Sequence, residues 1–146
     1  MRACLVHHAD AVGPEVDTQR PLSALGHRQA EWVASFIRDR GVVPAAIWHS
    51  GKLRSKQTAE ACLRICSPFA DFRMIRGLRS EDPPVWLQRE LADEARDVLL
   101  VGHMPHIAGL AQALAPDSAA FPVHGVVIFE RKDDGGWTEL ARAVPT

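Results

Sequence analysis

The chain alternates between short apolar runs and longer stretches in which apolar residues recur at helical spacing. The apolar runs indicate buried strands and lie at residues 2–8, 45–48, 72–75 and 97–101. The helical stretches lie between Ser23 and Gly41 and at residues 52–65, 83–95 and 105–114. Two last runs, 123–131 and 137–143, flank an Asp-Asp-Gly-Gly turn typical of a hairpin. The pattern predicts an α/β fold, a three-layer α/β/α sandwich with a mainly parallel sheet and an antiparallel C-terminal edge.

Length and composition narrow the class of protein. The 146 residues suffice for one domain, 1–146, and no linker composition divides them. The formal net charge of −1 at pH 7 predicts no basic face, so nucleic acid and membrane surfaces are not expected as partners. The three cysteines, Cys4, Cys62 and Cys66, are an odd number in a chain too long for a disulfide scaffold. They favour a reduced, cytoplasmic protein.

Polar residues follow three of the predicted strands. His8 ends the first strand, Ser50 follows the second with Arg54 one helical turn later, and His103 follows the fourth. Because the carboxyl ends of parallel strands share one edge of the sheet, we expect these residues to converge. Histidines together with arginine are typical of phosphoryl-transfer chemistry.

Each of these residues has a possible role in such a site. The neutral imidazole of His8 can attack phosphorus and hold the phosphoryl group covalently. Arg54 can bind two phosphate oxygens through its planar guanidinium, and His103 can stabilise developing charge or donate a proton. Arg20, just before the first helix, can neutralise further charge. Any one of them alone would be interpreted as an ordinary polar residue. Their expected position at one edge of the sheet is what indicates a site.

Histidines also raise the possibility of a metal site. Two pairs are closely spaced in the sequence, His7 with His8 and His103 with His106. Zinc sites usually add cysteine or carboxylate ligands at regular spacing, and near these strand ends only Asp10 is available. The two candidate arginines would repel a cation, so we expect no metal and no cofactor. The other histidines are interpreted as structural or solvent-exposed, namely His27, His49, His106 and His124.

Four motifs in the chain resemble those of the histidine phosphatase superfamily, which has a phosphoglycerate mutase-like fold. They are Leu5-Val6-His7-His8-Ala9-Asp10-Ala11, Arg20-Pro21-Leu22-Ser23-x-x-Gly26, Ser50-x-x-x-Arg54-x-x-Gln57-Thr58-Ala59 and Val101-Gly102-His103-x-Pro105. Their order and spacing over residues 2–114 and the short chain are similar to the compact SixA-type phosphohistidine phosphatases. The resemblance implies that His8 becomes phosphorylated, that Arg54, His103 and Arg20 surround the phosphate, and that hydrolysis needs no metal.

His7 departs from the family pattern, which has arginine at this position. Free histidine has a pKa of about 6.5, and a nearby phosphate dianion would favour its protonated form. We therefore expect His7 to bind substrate as an imperfect replacement for arginine. The result would be either a weaker phosphatase favoured at mildly acidic pH or a protein that binds phosphate groups without turnover. In the first case, the substitution His7→Arg should raise turnover.

The sequence also bears on the substrate. No strong general acid is apparent, and the nearest candidates, Glu81 and Asp82, could equally provide negative charge at a helix N-terminus. Imidazole leaves from phosphohistidine more readily than an alkoxide leaves from a phosphate ester. The sequence therefore favours a phosphohistidine protein as substrate and inorganic phosphate as product. The alternatives are a phosphomonoesterase for small esters and a binding module for phosphate groups or phosphoproteins.

Overall fold

The computed structural model describes residues 1–146 and contains six strands and four helices. In chain order they are β1 (Arg2–His7), α1 (Ala24–Asp39), β2 (Ala46–His49), α2 (Leu53–Cys66), β3 (Asp71–Met74), α3 (Pro84–Asp93), β4 (Val98–Gly102), α4 (His106–Leu114), β5 (Val126–Arg131) and β6 (Trp137–Ala143). Every predicted helix and strand is present. The largest difference is at β5, which begins at Val126 because the residues before it form a turn.

The six strands form one sheet in the order β3-β2-β4-β1-β5-β6. The pairs β3–β2, β2–β4 and β4–β1 are parallel, whereas β5 is antiparallel to both β1 and β6. This confirms the predicted parallel sheet with an antiparallel C-terminal edge. The carboxyl ends of β1, β2 and β4 therefore lie side by side, with the start of β5 beside the end of β1.

The residues of β1 alternate between two apolar clusters, one on each face of the sheet. Ala3 and Leu5 pack in a cluster with residues of α3 and α4, and Cys4 and Val6 pack in a cluster with residues of α1 and α2. Side chains alternate along a strand, so a strand that is apolar throughout needs helices on both faces. The three-layer arrangement follows from this requirement. All three cysteines are buried and free.

None of the four helices combines the length and the apolar character needed to cross a membrane.

The loop after β1 is tied to the start of α1. Ser23 caps this helix, because its hydroxyl oxygen accepts a hydrogen bond from the backbone N–H of Gly26 at 3.0 Å. A Cβ atom at Gly26 would lie only 1.9 Å from the carbonyl oxygen of Asp10. Glycine is required here because the helix approaches the loop so closely, and the loop is thereby held at the carboxyl end of β1.

Helix α2 holds the same loop from the other side. The Thr58 hydroxyl accepts a hydrogen bond from the Ala9 N–H at 3.0 Å, and the Gln57 amide oxygen accepts one from the Leu22 N–H at 2.7 Å. Thr58 also donates to the Arg54 carbonyl at 2.8 Å. The polar residues of this helix therefore fix the positions of both segments that flank the strand ends.

Candidate active site

The ends of β1, β2 and β4 bring the predicted site residues together. His8 donates its backbone N–H to the Gly102 carbonyl at 3.1 Å, and the His8 and His103 rings lie 5.0 Å apart. Arg54, in the first turn of α2, lies close enough to both histidines to lower their pKa values, and Arg20 does the same to His8. His8, His103, Arg54 and Arg20 therefore lie around one site. His7 lies beside them, with its ring 4.6 Å from that of His8.

The His8 ring is held in one tautomer by the backbone. Its Nδ1 lies 2.8 Å from the Ala9 carbonyl oxygen, and a carbonyl only accepts, so Nδ1–H is the donor. In the neutral ring this leaves the lone pair of Nε2 free. Burial lowers the pKa of His8 to about 4, against the opposing effect of the Ala9 hydrogen bond and with further lowering by Arg54. At neutral pH His8 is therefore an uncharged imidazole with a nucleophilic nitrogen available.

Ser50 positions the second histidine of the pair. Its Oγ lies 2.6 Å from His103 Nε2, and its own N–H donates to the Ser55 hydroxyl at 3.1 Å. Burial lowers the pKa of His103 to about 3, and the nearby His8 contributes in the same direction. The hydroxyl of Ser50, at the end of β2, is thus the partner of His103 Nε2. The Nδ1 of His103 has no protein partner.

Two arginines complete the site without any acidic partner. Arg54 Nε is buried and makes no hydrogen bond, while Arg20 Nε donates to the Val12 carbonyl at 3.0 Å. Neither guanidinium forms a salt bridge. Burial lowers the pKa of Arg54, and the positive charge of Arg20 adds to the effect. Two neighbouring cations with no carboxylate between them form a site for an anion.

His7 is buried, with 7% of its surface exposed, and its ring is engaged by another histidine. Its Nδ1 accepts the backbone N–H of His124 at 2.8 Å, and the two rings stack with centroids 4.9 Å apart at an angle of 4°. Burial lowers the pKa of His7 to about 3, and the neighbouring titratable groups contribute in the same direction, namely His8, His124, His103 and Arg54. In the free protein His7 is therefore a neutral ring, and its protonation beside a bound phosphate dianion stays a prediction.

His124 is the site residue that sequence reasoning missed. The sequence predicts a structural or solvent-exposed histidine here, yet its Nδ1 donates to the His8 carbonyl at 2.7 Å and its backbone N–H donates to His7 Nδ1 at 2.8 Å. It lies in the turn before β5, and only the antiparallel pairing of β5 with β1 brings it to the site. The one signal in the sequence that could have pointed to His124 is the predicted C-terminal hairpin. If its first strand runs antiparallel to a strand of the parallel sheet, its start lies at the carboxyl end of that strand, as β5 does beside β1.

The other three histidines lie outside this arrangement. His27 is exposed on α1, and His49 is a structural residue whose Nδ1 accepts the Gly51 N–H at 3.0 Å. His106 is buried on α4, and neither of its ring nitrogens has a hydrogen-bond partner. These positions agree with the structural or solvent-exposed interpretation.

A polar cavity of about 240 Å³ opens beside His103 and Arg54. Its remaining lining residues are Lys52, Arg79, Ser80, Glu81 and Asp82. Neither carboxylate caps α3, because Pro83 occupies the N-cap and no side chain forms a cap hydrogen bond. Glu81 and Asp82 directly precede Pro83, so their negative charge still lies at the helix N-terminus. The Asp82 carboxylate instead accepts the Arg79 N–H at 2.9 Å. Both carboxylates therefore share a cavity with the site.

The three adjacent histidines also raise the possibility of a metal site. One nitrogen from each of His7, His8 and His124 lies within 4.8 Å of the others. His8 and His124 have free Nε2 lone pairs, but the only lone pair of neutral His7 is occupied by the His124 N–H. With Arg54 and Arg20 close by as well, this set of donors suits an anion better than a cation.

Comparison with known proteins agrees with this geometry. Residues 6–97 match the family model of the histidine phosphatase superfamily, branch 1. The structure of the protein histidine phosphatase SixA complexed with tungstate has a TM-score of 0.87 and 21% identity, over 99% of this chain and 97% of that one. A protein of Agrobacterium tumefaciens assigned as phosphohistidine phosphatase SixA has a TM-score of 0.81 and 25% identity, over 99% and 97%. A protein of Nakamurella multipartitia with the same assignment has a TM-score of 0.82 and 22% identity, over 99% of this chain and 96% of that one.

These likenesses show that the chain shares the phosphoglycerate mutase-like fold of the SixA structures along nearly its whole length. No curated protein matches the sequence significantly.

Proposed function

The chain belongs to the histidine phosphatase superfamily, and from that premise we propose that it is a phosphohistidine protein phosphatase. The observation that carries the proposal is the state of His8. Its Nδ1–H is held by the Ala9 carbonyl, its Nε2 lone pair is free, and its lowered pKa keeps the ring neutral. Such a nitrogen is a nucleophile at neutral pH, and it lies among groups that suit a phosphoryl anion.

The reaction has two steps, and each breaks a bond between phosphorus and an imidazole nitrogen. His8 Nε2 attacks phosphorus, the bond from phosphorus to the substrate imidazole breaks, and that imidazole takes up a proton from solvent. Water then attacks the phosphoryl group on His8 and releases a proton to solvent, the new nitrogen–phosphorus bond breaks, and inorganic phosphate leaves. The net change is phosphohistidine plus water to histidine plus phosphate, with His8 restored.

The surrounding cationic and donor groups stabilise this transfer. Arg54 and Arg20 have guanidinium groups without acidic partners, and His103 is oriented by Ser50 beside the nucleophile. Donors fixed in advance around a transferring phosphoryl group act where negative charge develops. Hydrolysis without a metal is part of the proposal, and these groups support it because they can supply the charge stabilisation that a metal ion would otherwise provide.

The choice of phosphohistidine rests on the leaving group. No carboxylate forms a hydrogen bond to His8 or His103, and Glu81 and Asp82 line the adjoining cavity with Glu81 exposed. An alkoxide needs a strong general acid to leave, whereas an imidazole is a far weaker base. The likeness to SixA structures supports the same substrate class. A cytoplasmic location is part of the proposal, because all three cysteines are free and buried.

A labelling experiment tests the mechanism. Wild-type protein is mixed briefly with a radiolabelled phosphohistidine protein, quenched and mapped by peptide. We expect label on His8 that is stable in alkali and lost in acid, and no label in His8→Asn. His27→Asn is the matched control, because His27 is an exposed histidine of α1, and it should label as the wild type does.

The same experiment separates the alternative functions. Binding of inorganic phosphate without label or release would contradict the proposal and support a binding module. Faster turnover of a small phosphate ester than of the phosphohistidine protein would support a phosphomonoesterase instead. Label on a residue other than His8 would exclude the proposed nucleophile.

A further inference from the structure

The pairing of His7 with His124 fixes the proton on the His7 ring. A backbone N–H can only donate, so the bond from the His124 N–H at 2.8 Å requires an unprotonated His7 Nδ1. The proton of the neutral ring is therefore on Nε2, which has no protein partner. His7 consequently offers a single N–H group and no positive charge.

We propose that His7 binds the transferring phosphoryl group as a neutral Nε2–H donor, and that His124 is the positioning residue that keeps it in this tautomer. The inference rests on the proposed function, because it assigns the roles of two residues in that same site. It also replaces the earlier expectation that His7 acts as a charged stand-in for arginine.

The groups around His7 all disfavour its protonated form. From β1 it faces His8, from the end of β4 His103, from α2 Arg54 and from the turn before β5 His124. None of the groups that shift it is a carboxylate, and its pKa is lowered to about 3. The donor role of His7 therefore stays constant across the neutral and mildly acidic range.

Residue 124 has three contacts that hold this arrangement. Its ring donates to the His8 carbonyl, its ring stacks on His7, and its N–H fills the His7 lone pair. The backbone of His124 has φ +56°, a left-handed conformation that glycine adopts freely and that asparagine and histidine adopt more often than most other residues.

The tautomer can be measured without any turnover. A proton–nitrogen NMR correlation of the imidazole rings, with His7 assigned by its loss in His7→Gln, reports which ring nitrogen carries the proton. We expect the Nε2–H form from about pH 8 down to about pH 5, without the titration near 6.5 of a free histidine. A positively charged His7 or an Nδ1–H form in this range would overturn the inference.

Kinetics on substitutions at position 7 test the donor. His7→Gln supplies a neutral N–H donor and an acceptor for the His124 N–H, whereas His7→Phe supplies neither. We expect His7→Phe to lose on the order of a hundredfold in kcat and His7→Gln to retain most of it. Equal losses in the two variants would contradict the donor role.

Substitutions at position 124 test the positioning role. His124→Gly keeps the backbone N–H and relieves the left-handed backbone, but it removes the ring contacts. We expect its stability to be unchanged or higher while kcat falls about tenfold and a second His7 tautomer appears. His124→Asn can again donate to the His8 carbonyl, and it should recover part of kcat. A wild-type kcat and a single tautomer in His124→Gly would overturn the role of residue 124.

The pH profile separates this inference from the proposed function. With a neutral donor, kcat/KM depends on pH in the same way in the wild type and in His7→Gln from about pH 8 to about pH 5, and both fall as His8 is protonated near its pKa of about 4. A rise of kcat/KM toward pH 5 that disappears in His7→Gln would show a charged His7 in a working phosphatase. Absence of turnover, with inorganic phosphate affinity retained in His7→Gln and lost in His7→Phe, would overturn the proposed function and support the donor.

Discussion

Each histidine of the site has one ring nitrogen engaged by the protein and one left free. Nδ1 is engaged in His7, His8 and His124, and Nε2 is engaged in His103. Three of these bonds involve the backbone, whose donors and acceptors cannot exchange roles. The protein thus specifies which nitrogen attacks and which donates, a choice that is otherwise left to a small free-energy difference between tautomers.

The hydroxyl of Ser50 gives a direct test at this scale. Ser50→Ala removes the 2.6 Å bond to His103 Nε2, and a net hydrogen bond is worth about 1 kcal/mol, so we expect kcat to fall about fivefold. The effect should appear in kcat more than in KM. Ser80→Ala is the control and should leave kcat unchanged. Ser80 lines the adjoining cavity, whereas Ser50 does not. A wild-type kcat in Ser50→Ala would show that this bond does not position His103.

The substitution His7→Arg has an expected outcome different from the sequence-based one. Arginine has no acceptor, so the His124 N–H loses its partner, at a cost of about 1–3 kcal/mol. We expect His7→Arg alone to be less stable and no faster. The double variant His7→Arg/His124→Gly should be faster than either single variant, because the flexible glycine lets the N–H turn to water. Additive effects on turnover in this double-mutant cycle would contradict the coupling.

At the level of elements, α2 holds the parts of the site in place relative to one another. Its first turn presents Arg54, and one turn later Gln57 and Thr58 bind the segments that contain Arg20 and His8. The motif spacing follows from helical geometry, because residues three and four apart share one face. One helix face therefore holds both the phosphate-binding group and the two loops beside it.

The hydrogen bond from the Ala9 N–H to the Thr58 hydroxyl tests this role of α2. Thr58→Val keeps the shape of the side chain but leaves the buried N–H of Ala9 without an acceptor, so we expect a loss of about 1–3 kcal/mol in the free energy of unfolding. Turnover should fall as well, since Ala9 also accepts from His8. Thr58→Ser keeps the hydroxyl and serves as the control in urea denaturation. Equal stability of the two variants would show that this bond contributes nothing.

At the level of the whole molecule, the site concentrates positive groups in a chain whose formal net charge is −1. Three of its histidines are neutral, His7 and His103 buried and His8 half-buried, with pKa values lowered to about 3 for His7 and His103 and about 4 for His8. In the unfolded chain these rings would take up protons near pH 6.5. Between these values the unfolded state binds more protons than the folded state, so acid favours unfolding.

Stability should therefore fall as pH is lowered from about 6.5 toward about 4. Each such histidine can contribute up to about 1.4 kcal/mol per pH unit. Chemical denaturation at a series of pH values should show one cooperative transition, as expected for one domain, and a shallower pH slope in His103→Gln. His27→Asn removes an exposed histidine and should leave the slope unchanged. A slope that is the same in all three proteins would assign the acid sensitivity to other groups.

The sequence by itself determined the order of the elements and the residues at the strand ends. Ser23 as a helix cap, the apolar residues of β1 and the histidines that follow β1 and β4 could be recognised because their signals are local. The convergence of His8, His103 and Arg54 also followed, since parallel strands place their carboxyl ends on one edge.

Only the tertiary structure decided the state of the histidines. His124 meets His7 across 117 positions of sequence, through the antiparallel pairing of β5 with β1 and a left-handed backbone that no local pattern indicates. Protonation and tautomer depend on burial and on the specific atoms that face each ring. Those atoms belong to segments distant in the sequence, so a motif can name the histidines of this site but cannot say which nitrogen of each carries the proton.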